Sequence, residues 1–318
     1  MAIMLSRVAD SLYWMSRYLE RTENTARMLS TLFSALADTP LQDTDITWRR
    51  LLRALWVLHE AKGPIDSAAL AKRLLLDVDE PCSMLHCLSE ARENARQIRE
   101  QISSEMWRRL NSHYLDLSSA NFDRIWSDNA LGFCARAIDG LHLFSGTAAA
   151  TFSRGEGWQF MEVGRCLERI LFLCRLLETY HGAGGTLPVP RHLGWVNLLK
   201  TCSAYEAYCQ AHTTDVRPKQ VMEFLIFDAD FPRSIRYAAG QLHERLARLS
   251  PDPDARGGGR AQRLAGRLRA SLDYGVPDEL TGEGVPAYLS DIDSVCRRIH
   301  QALVDCYISY TVDSRIAV

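Results

Sequence analysis

The chain has 318 residues, 47% hydrophobic, 9% aromatic and 24% charged, with 37 Lys and Arg against 39 Asp and Glu. That is the make-up of an ordinary globular protein with ample chain for a core, and it excludes a disordered one. A formal net charge of −2 excludes an electrostatic glove for nucleic acid or for an anionic membrane, and no apolar run reaches the ~18 residues of a membrane span.

The N-terminus, MAIMLSRVADSLYWMSRYLER, carries Arg7 and Asp10 and no small-residue cleavage site, so it reads as an amphipathic helix rather than a signal peptide. Leu5, Leu12, Leu19, Ala26 and Phe33 fall at one heptad position, and Val8, Met15, Thr22, Leu29 and Leu36 at the other. One long bundle helix is predicted, ending at Asp38-Thr39-Pro40. A second helix is predicted over Thr44–His59 and a short third from an Asp66 or Ser67 cap through Leu76. A long fourth should start near Pro81 and run to Tyr114. Further helices are predicted over Asn121–Thr151, Glu156–Tyr180, Gly194–Gln210, Pro218–Phe227, Pro232–Leu249, Ala261–Tyr274 and Pro286–Tyr310. The segments HGAGGTLPVP (181–190) and PDPDARGGGR (251–260) read as a linker and a loop. No run alternates as a strand does. The expected class is all-α, a multi-helix bundle or array with long antiparallel helices.

A long-range echo stands out. Residues 17–27, RYLERTENTAR, match residues 165–175, RCLERILFLCR, so that Arg17, Glu20, Arg21 and Arg27 correspond to Arg165, Glu168, Arg169 and Arg175. It suggests an internal duplication within one unit over 1–318, with sub-halves 1–181 and 191–318 joined by the Gly/Pro-rich linker. Helical spacing puts Arg17, Glu20, Asn24 and Arg27 on one stripe, and Arg165, Glu168, Phe172 and Arg175 on its counterpart. A looser relative, SEARENARQIRE (89–100), lines up Arg92, Arg96 and Arg99.

Two readings of these stripes stand side by side. The first stripe lies away from the heptad seam, and a charged face opposite a seam is ordinarily solvated and contributes little. If the helix is instead covered on both faces, the stripes form an internal network. Surplus guanidinium would then suit a carboxylate or phosphate ligand through bidentate forks.

The segment MLSRVADSLYWMSRYLERTENTAR resembles the opening of the bacterial alpha-E family, an all-helical domain named for its Glu-Arg motif. ARENARQIREQISSEMWRRLN (91–111), GRCLERI (164–170) and FLIFDADFPRSI (224–235) extend the likeness in order along the chain. The resemblance carries the motif onto Glu20-Arg21 and Glu168-Arg169, and adds Glu93, Asn94, Arg96, Glu105 and Trp107. It implies company with a circularly permuted ATP-grasp protein, and with transglutaminase-like peptidases, in a peptide- or amide-forming system. ATP is then expected on the partner, and no cofactor on this chain.

Other constellations are weaker. In FDADFPRS, Asp228 and Asp230 read as helix-capping carboxylates, with Arg233 and Arg236 available to an anion; two carboxylates are too few for a metal cage. No His/Glu spacing fits a metal, no G-x-S-x-G occurs, and HGAGG lacks the phosphate-loop pattern. Nine cysteines without a C-x-x-C pair fit free thiols in a reducing cytoplasm. The sequence therefore carries three functional expectations. The first is a non-catalytic partner whose Arg/Glu pairs hold an anion or the partner. The second is an enzyme using Glu20 or Glu168 as general base, and the third a scaffold whose pairs fix helix register.

Overall fold

A computed structural model describes residues 6–36, 41–55, 57, 63–181, 192–212, 214–250, 258–275 and 284–308. Among these residues there are helices and no strands. In chain order they are α1 (Ser6–Leu36), α2 (Leu41–Ala54), α3 (Ser67–Leu76), α4 (Met84–Gln97), α5 (Ser104–Ser118), α6 (Phe122–Asp128) and α7 (Ala130–Thr151). There follow α8 (Glu156–His181), α9 (His192–Thr201), α10 (Tyr205–Ala211), α11 (Pro218–Phe227), α12 (Ile235–Leu249), α13 (Gly258–Asp273) and α14 (Gly284–Leu303), which runs into a π-helical turn at Val304–Ile308. No described helix is long and apolar enough to cross a membrane. Leu5, Asp38–Pro40, most of the 181–190 linker, residues 251–257 and Tyr310 lie outside the described residues.

Three predicted helices divide where a polar side chain captures a backbone N–H or a turn intervenes. The one expected from Pro81 to Tyr114 is α4 and α5: Ile98 turns into the core and Ser103 caps the restart, accepting from Met106 N at 3.1 Å. Pro81 precedes the first helix of that pair, which Ser83 caps instead. Asn129 splits α6 from α7 by accepting from Gly132 N at 2.7 Å. The Gly194–Gln210 helix is α9 and α10, parted at Cys202–Ala204. Asp66 caps α3 as expected, accepting from Ala68 N and Ala69 N at 3.0 Å.

The helices α1 and α8 form the centre and run parallel. Gly164 sits against Tyr13 near their starts, and Met28 and Leu32 meet Leu176 and Tyr180 near their ends. Around α1 pack α4 and α7, with α5 bridging them; around α8 pack α12 and α14, with α13 bridging those. The two sets have the same arrangement and divide at the turn between Thr151 and Glu156. A sequence signal matches this, and is independent of the Arg/Glu echo. Asp77-x-Asp79-x-Pro81-x-Ser83 before α4 repeats as Asp228-x-Asp230-x-Pro232-x-Ser234 before α12. Both copies fold alike. Asp79 N and Asp230 N donate to Asp77 Oδ1 and Asp228 Oδ1 at 2.9 and 3.0 Å, and both serine hydroxyls donate back to the first aspartate's carbonyl.

Being covered on both sides, α1 buries both heptad seams and much of the opposite face. Leu12, Met15, Ala26 and Leu29 are fully buried, and Arg17, Glu20, Thr22 and Asn24 are buried with them. The solvated-face reading of the stripe is overturned. A heptad pattern reports one packed face, and here a second helix layer covers the other.

Candidate functional site

The Arg/Glu motifs of α1 and α8 face each other across the central seam and pair reciprocally. Arg21 grips Glu168 with Nε and Nη2, at 2.9 and 3.1 Å. Arg169 grips Glu20 with Nε and Nη2, both at 2.8 Å. Each guanidinium uses two parallel donors on two carboxylate oxygens, the geometry that makes an Arg–carboxylate pair strong and directional. The partners of Glu20 thus come from the other half of the chain and not from its own stripe.

The Glu168 crossing is closed. Arg17 adds a hydrogen bond at 2.8 Å and in turn donates to Tyr13 Oη at 3.1 Å, which lies 2.8 Å from His300 Nδ1. The Trp14 ring lies 4.7 Å from the Arg17 guanidinium carbon. Burial alone would raise the Glu168 pKa, but Arg17 and Arg21 beside it hold it at about 2. Arg175 stands near this crossing, with burial lowering its pKa against the attraction of Glu168 and Asp293.

The Glu20 crossing opens into a cleft of about 350 Å³. Arg233, from the turn before α12, stands 3.6 Å from Glu20 and bonds Glu23. Asn24 Oδ1 lies 3.4 Å from Arg233 Nη1. Arg27 also holds Glu23, at 2.7 and 2.9 Å, and His142 Nε2 lies 3.2 Å from the same oxygen. For Glu23, burial raises the pKa but His142, Arg233 and Arg27 more than offset it, so it is held below the usual carboxylate range. Arg233 is pulled below the usual arginine range by burial, with Glu20 opposing. On the cleft's other side Arg165 pairs with Glu162, not with Glu168. The rest of the lining is three serines, Ser16, Ser145 and Ser203, and apolar side chains, chiefly Leu141, Phe144, Trp158, Met161 and Phe231.

Exposure decides what this cleft presents. Among its lining groups the Glu20 and Glu162 side chains are the most hidden, at 2% and 8%. Glu23, at 11%, is covered to the same degree as Arg169 and Arg233, at 12% and 13%, and Arg27 beside it is 14% exposed. Arg165 and His142, at 40% and 56%, are the charged or polar groups that a visiting molecule meets first.

The expected residues thus fall into three groups. Arg17, Arg21 and Glu168 form the closed crossing, with Arg175 nearby. Glu20, Asn24, Arg27, Arg165, Arg169 and Arg233 gather at the open one. Glu93, Asn94, Arg96, Glu105 and Trp107 join neither. Glu93 and Arg96 pair on the exposed face of α4, at 2.6 Å, and Asn94 bonds its own helix at Glu90 O. Glu105 is in the first turn of α5, and Trp107 packs under Arg92 and Arg99. Arg96→Ala is therefore expected to shift Tm by less than about 1 °C and to leave cleft properties unchanged, as a thermal scan would show. Asp228 and Asp230 do not cap α12 as the sequence suggests: Ser234 does, accepting from Tyr237 N at 3.0 Å, while Asp228 Oδ1 accepts from Asp230 N and Phe231 N to build the turn before it. Arg236 pairs with Asp273 rather than with an anion. Among the described residues no three His, Cys, Asp or Glu gather as a metal site.

Sequence reasoning missed Glu23, His142, Glu162 and Ser203. Glu23 and Glu162 were findable as the i−4 and i−3 partners of Arg27 and Arg165. The other two arrive from α7 and from the turn after α9, with no local pattern to mark them.

An all-helical chain whose two halves exchange Glu-Arg pairs across a parallel central seam defines the class of protein. A family model described as a predicted alpha-helical domain with a conserved ER motif, Alpha-E, matches residues 4–308, and the chain belongs to that family. It is 26% identical over 333 residues to uncharacterised proteins of Mycobacterium bovis and Mycobacterium tuberculosis. The match takes in 96% of this chain but 36% of each relative, so the chain spans about a third of their length. No solved structure matches.

Proposed function

We propose that this chain is an accessory helical protein that works beside an ATP-grasp-type ligase in a cytoplasmic peptide- or amide-forming or peptide-modifying system. Its cleft receives a carboxylate or phosphate group of the substrate or of the partner. The observation that carries this reading is that every carboxylate of the cleft is already held by arginine, while Arg165 and His142 stand exposed at its edge, which suits an oxyanion. The company implied by the family resemblance, circularly permuted ATP-grasp proteins and transglutaminase-like peptidases, supplies the partner and with it the ATP.

A general-base role for Glu20 or Glu168 fits less well. Both oxygens of each carboxylate already accept hydrogen bonds from arginine, which leaves neither positioned to take a proton from a substrate. The register role suits the closed Glu168 crossing, which is packed around by Arg17, Tyr13 and Trp14, and not the Glu20 crossing.

The test is co-expression with a circularly permuted ATP-grasp protein from the same genome, followed by co-purification and mass spectrometry of ATP-dependent products. Wild type is expected to form the complex and to raise product formation. Glu20→Gln should keep the fold, with Tm within about 5 °C of wild type, yet lower that stimulation at least about tenfold. No complex and no effect on the ligase would overturn the proposal.

A further inference from the structure

Ser203 has φ of 51°, and it is the one non-glycine residue with positive φ among the described residues. The cause is how α9 ends. Ala204 N donates to Leu199 O at 2.8 Å and Ser203 N to Lys200 O at 3.0 Å. This pair of bonds closes a Schellman turn, in which the left-handed position ordinarily belongs to glycine. A side chain there strains the backbone. Leu199 and Ala204, both fully buried, anchor the turn on either side.

The serine hydroxyl lines the cleft, next to the cationic cluster. Its Oγ accepts from Arg27 Nη1, while the other Arg27 nitrogens hold Glu23. With Oγ engaged as an acceptor, its own proton is left to donate. The half-exposed His142 ring lies 3.1 Å from Arg27 Nη2 on the same side. Phe144 and Trp158 add apolar surface to the lining of the same cleft.

Building on the oxyanion reading of the cleft, we infer that Ser203 is a ligand-binding residue held in a strained conformation for its hydroxyl. With Arg27 and His142 it forms the anion-binding corner, donating a hydrogen bond to an oxygen of a carboxylate or phosphate group. The body of that molecule is apolar and lies against Phe144 and Trp158. Glycine would suit the turn better and would remove the donor, so stability and binding should move in opposite directions at this position.

The test uses the full chain and three probes at fixed ionic strength: inorganic phosphate, N-acetyl-L-phenylalanine, and N-acetyl-L-phenylalanine amide as an uncharged control. Binding is read by titration calorimetry and Tm by a ligand-free thermal scan. Wild type is expected to bind at least one of the two oxyanions and not the amide, and which one it binds separates a phosphate from a carboxylate ligand. Ser203→Gly should weaken that binding about tenfold while raising Tm by about 2 °C. Ser203→Ala keeps the strain and loses the hydroxyl, so it should weaken binding equally without raising Tm. Undiminished binding in both variants, or a lower Tm for Ser203→Gly, overturns the role of Ser203 alone. Failure of wild type to bind either oxyanion overturns both this inference and the oxyanion function of the cleft.

Discussion

Glu168→Ala is expected to destabilise the protein by about 3–5 kcal/mol and to lower Tm by about 10 °C. The reason is what the substitution leaves behind. Arg17 and Arg21 both lie against Glu168 in the interior, and the Arg17 side chain is only 7% exposed. With the carboxylate gone, Arg17 remains out of water without its counter-charge, and Arg21, 29% exposed, loses its partner as well. The same pair sets an acid limb. The ordinary carboxyl value of 4.5 falls to about 2 in the folded protein. The unfolded chain therefore takes up this proton first as pH drops. The stabilisation is complete above about 4.5 and is lost as pH falls towards 2, amounting to about 3 kcal/mol. Glu168→Gln should flatten that limb between pH 5 and pH 2 relative to wild type. Denaturant titration at pH 7 and thermal scans over the acid range measure both effects, and a loss below about 1 kcal/mol would show that the crossing is not a structural lock.

The two crossings differ because the repeat is imperfect where it matters. The turn before α12 places Arg233 where the turn before α4 has Cys82, and the α1 stripe has Glu23 and Asn24 where α8 has Leu171 and Phe172. One copy thus has an additional guanidinium, Arg233, and an additional carboxylate, Glu23, and is open. The other filled with apolar side chains and with the Tyr13–His300 pair. A shared backbone plan accordingly yields a lock on one side and a cleft on the other.

Much of this plan is legible in the amino-acid sequence. The heptads of α1, the cap at Asp66 and the Glu-Arg echo all depend on spacing within one helix or turn. What spacing cannot show is which faces a second layer covers. The stripe at Arg17, Glu20 and Asn24 looks solvated because only one apolar seam is visible in α1. The covering helices α4 and α7 come from distant sequence. The breaks at Ile98–Ser103 and at Asn129 are hidden for a related reason. The apolar period continues through both, and only a single capping side chain marks each stop. The cleft's last members, His142 and Ser203, are isolated polar residues brought in by tertiary packing, so no window along the chain could group them.

Gly164→Ala is the second large effect, and its sign is diagnostic. In an ordinary helix interior, alanine in place of glycine stabilises by about 0.5–1 kcal/mol. Two other helical glycines meet that condition: a Cβ on Gly146 in α7 or on Gly240 in α12 would find no atom within 4 Å. At Gly164 the Cβ would collide with the main-chain carbonyl of Tyr13 and come within 2.9 Å of Ser16 Oγ. A carbonyl inside α1, two turns from its start, cannot rotate aside, so α1 and α8 must separate. Overpacking of this kind costs about 1–3 kcal/mol, which exceeds the helix-propensity gain. Gly146→Ala and Gly240→Ala should therefore raise the denaturation midpoint, and Gly164→Ala should lower it. The same separation pulls at the reciprocal forks, because Arg21–Glu168 and Arg169–Glu20 span this seam within about two turns of the contact. Hydrogen bonds of 2.8 to 3.1 Å do not survive a seam opened by about an ångström. Gly164→Ala should thus impair oxyanion binding in the cleft although it touches no ligand. If it proves as stable as wild type, the parallel central seam is not as closely packed as described, and the coupling of lock to cleft falls with it.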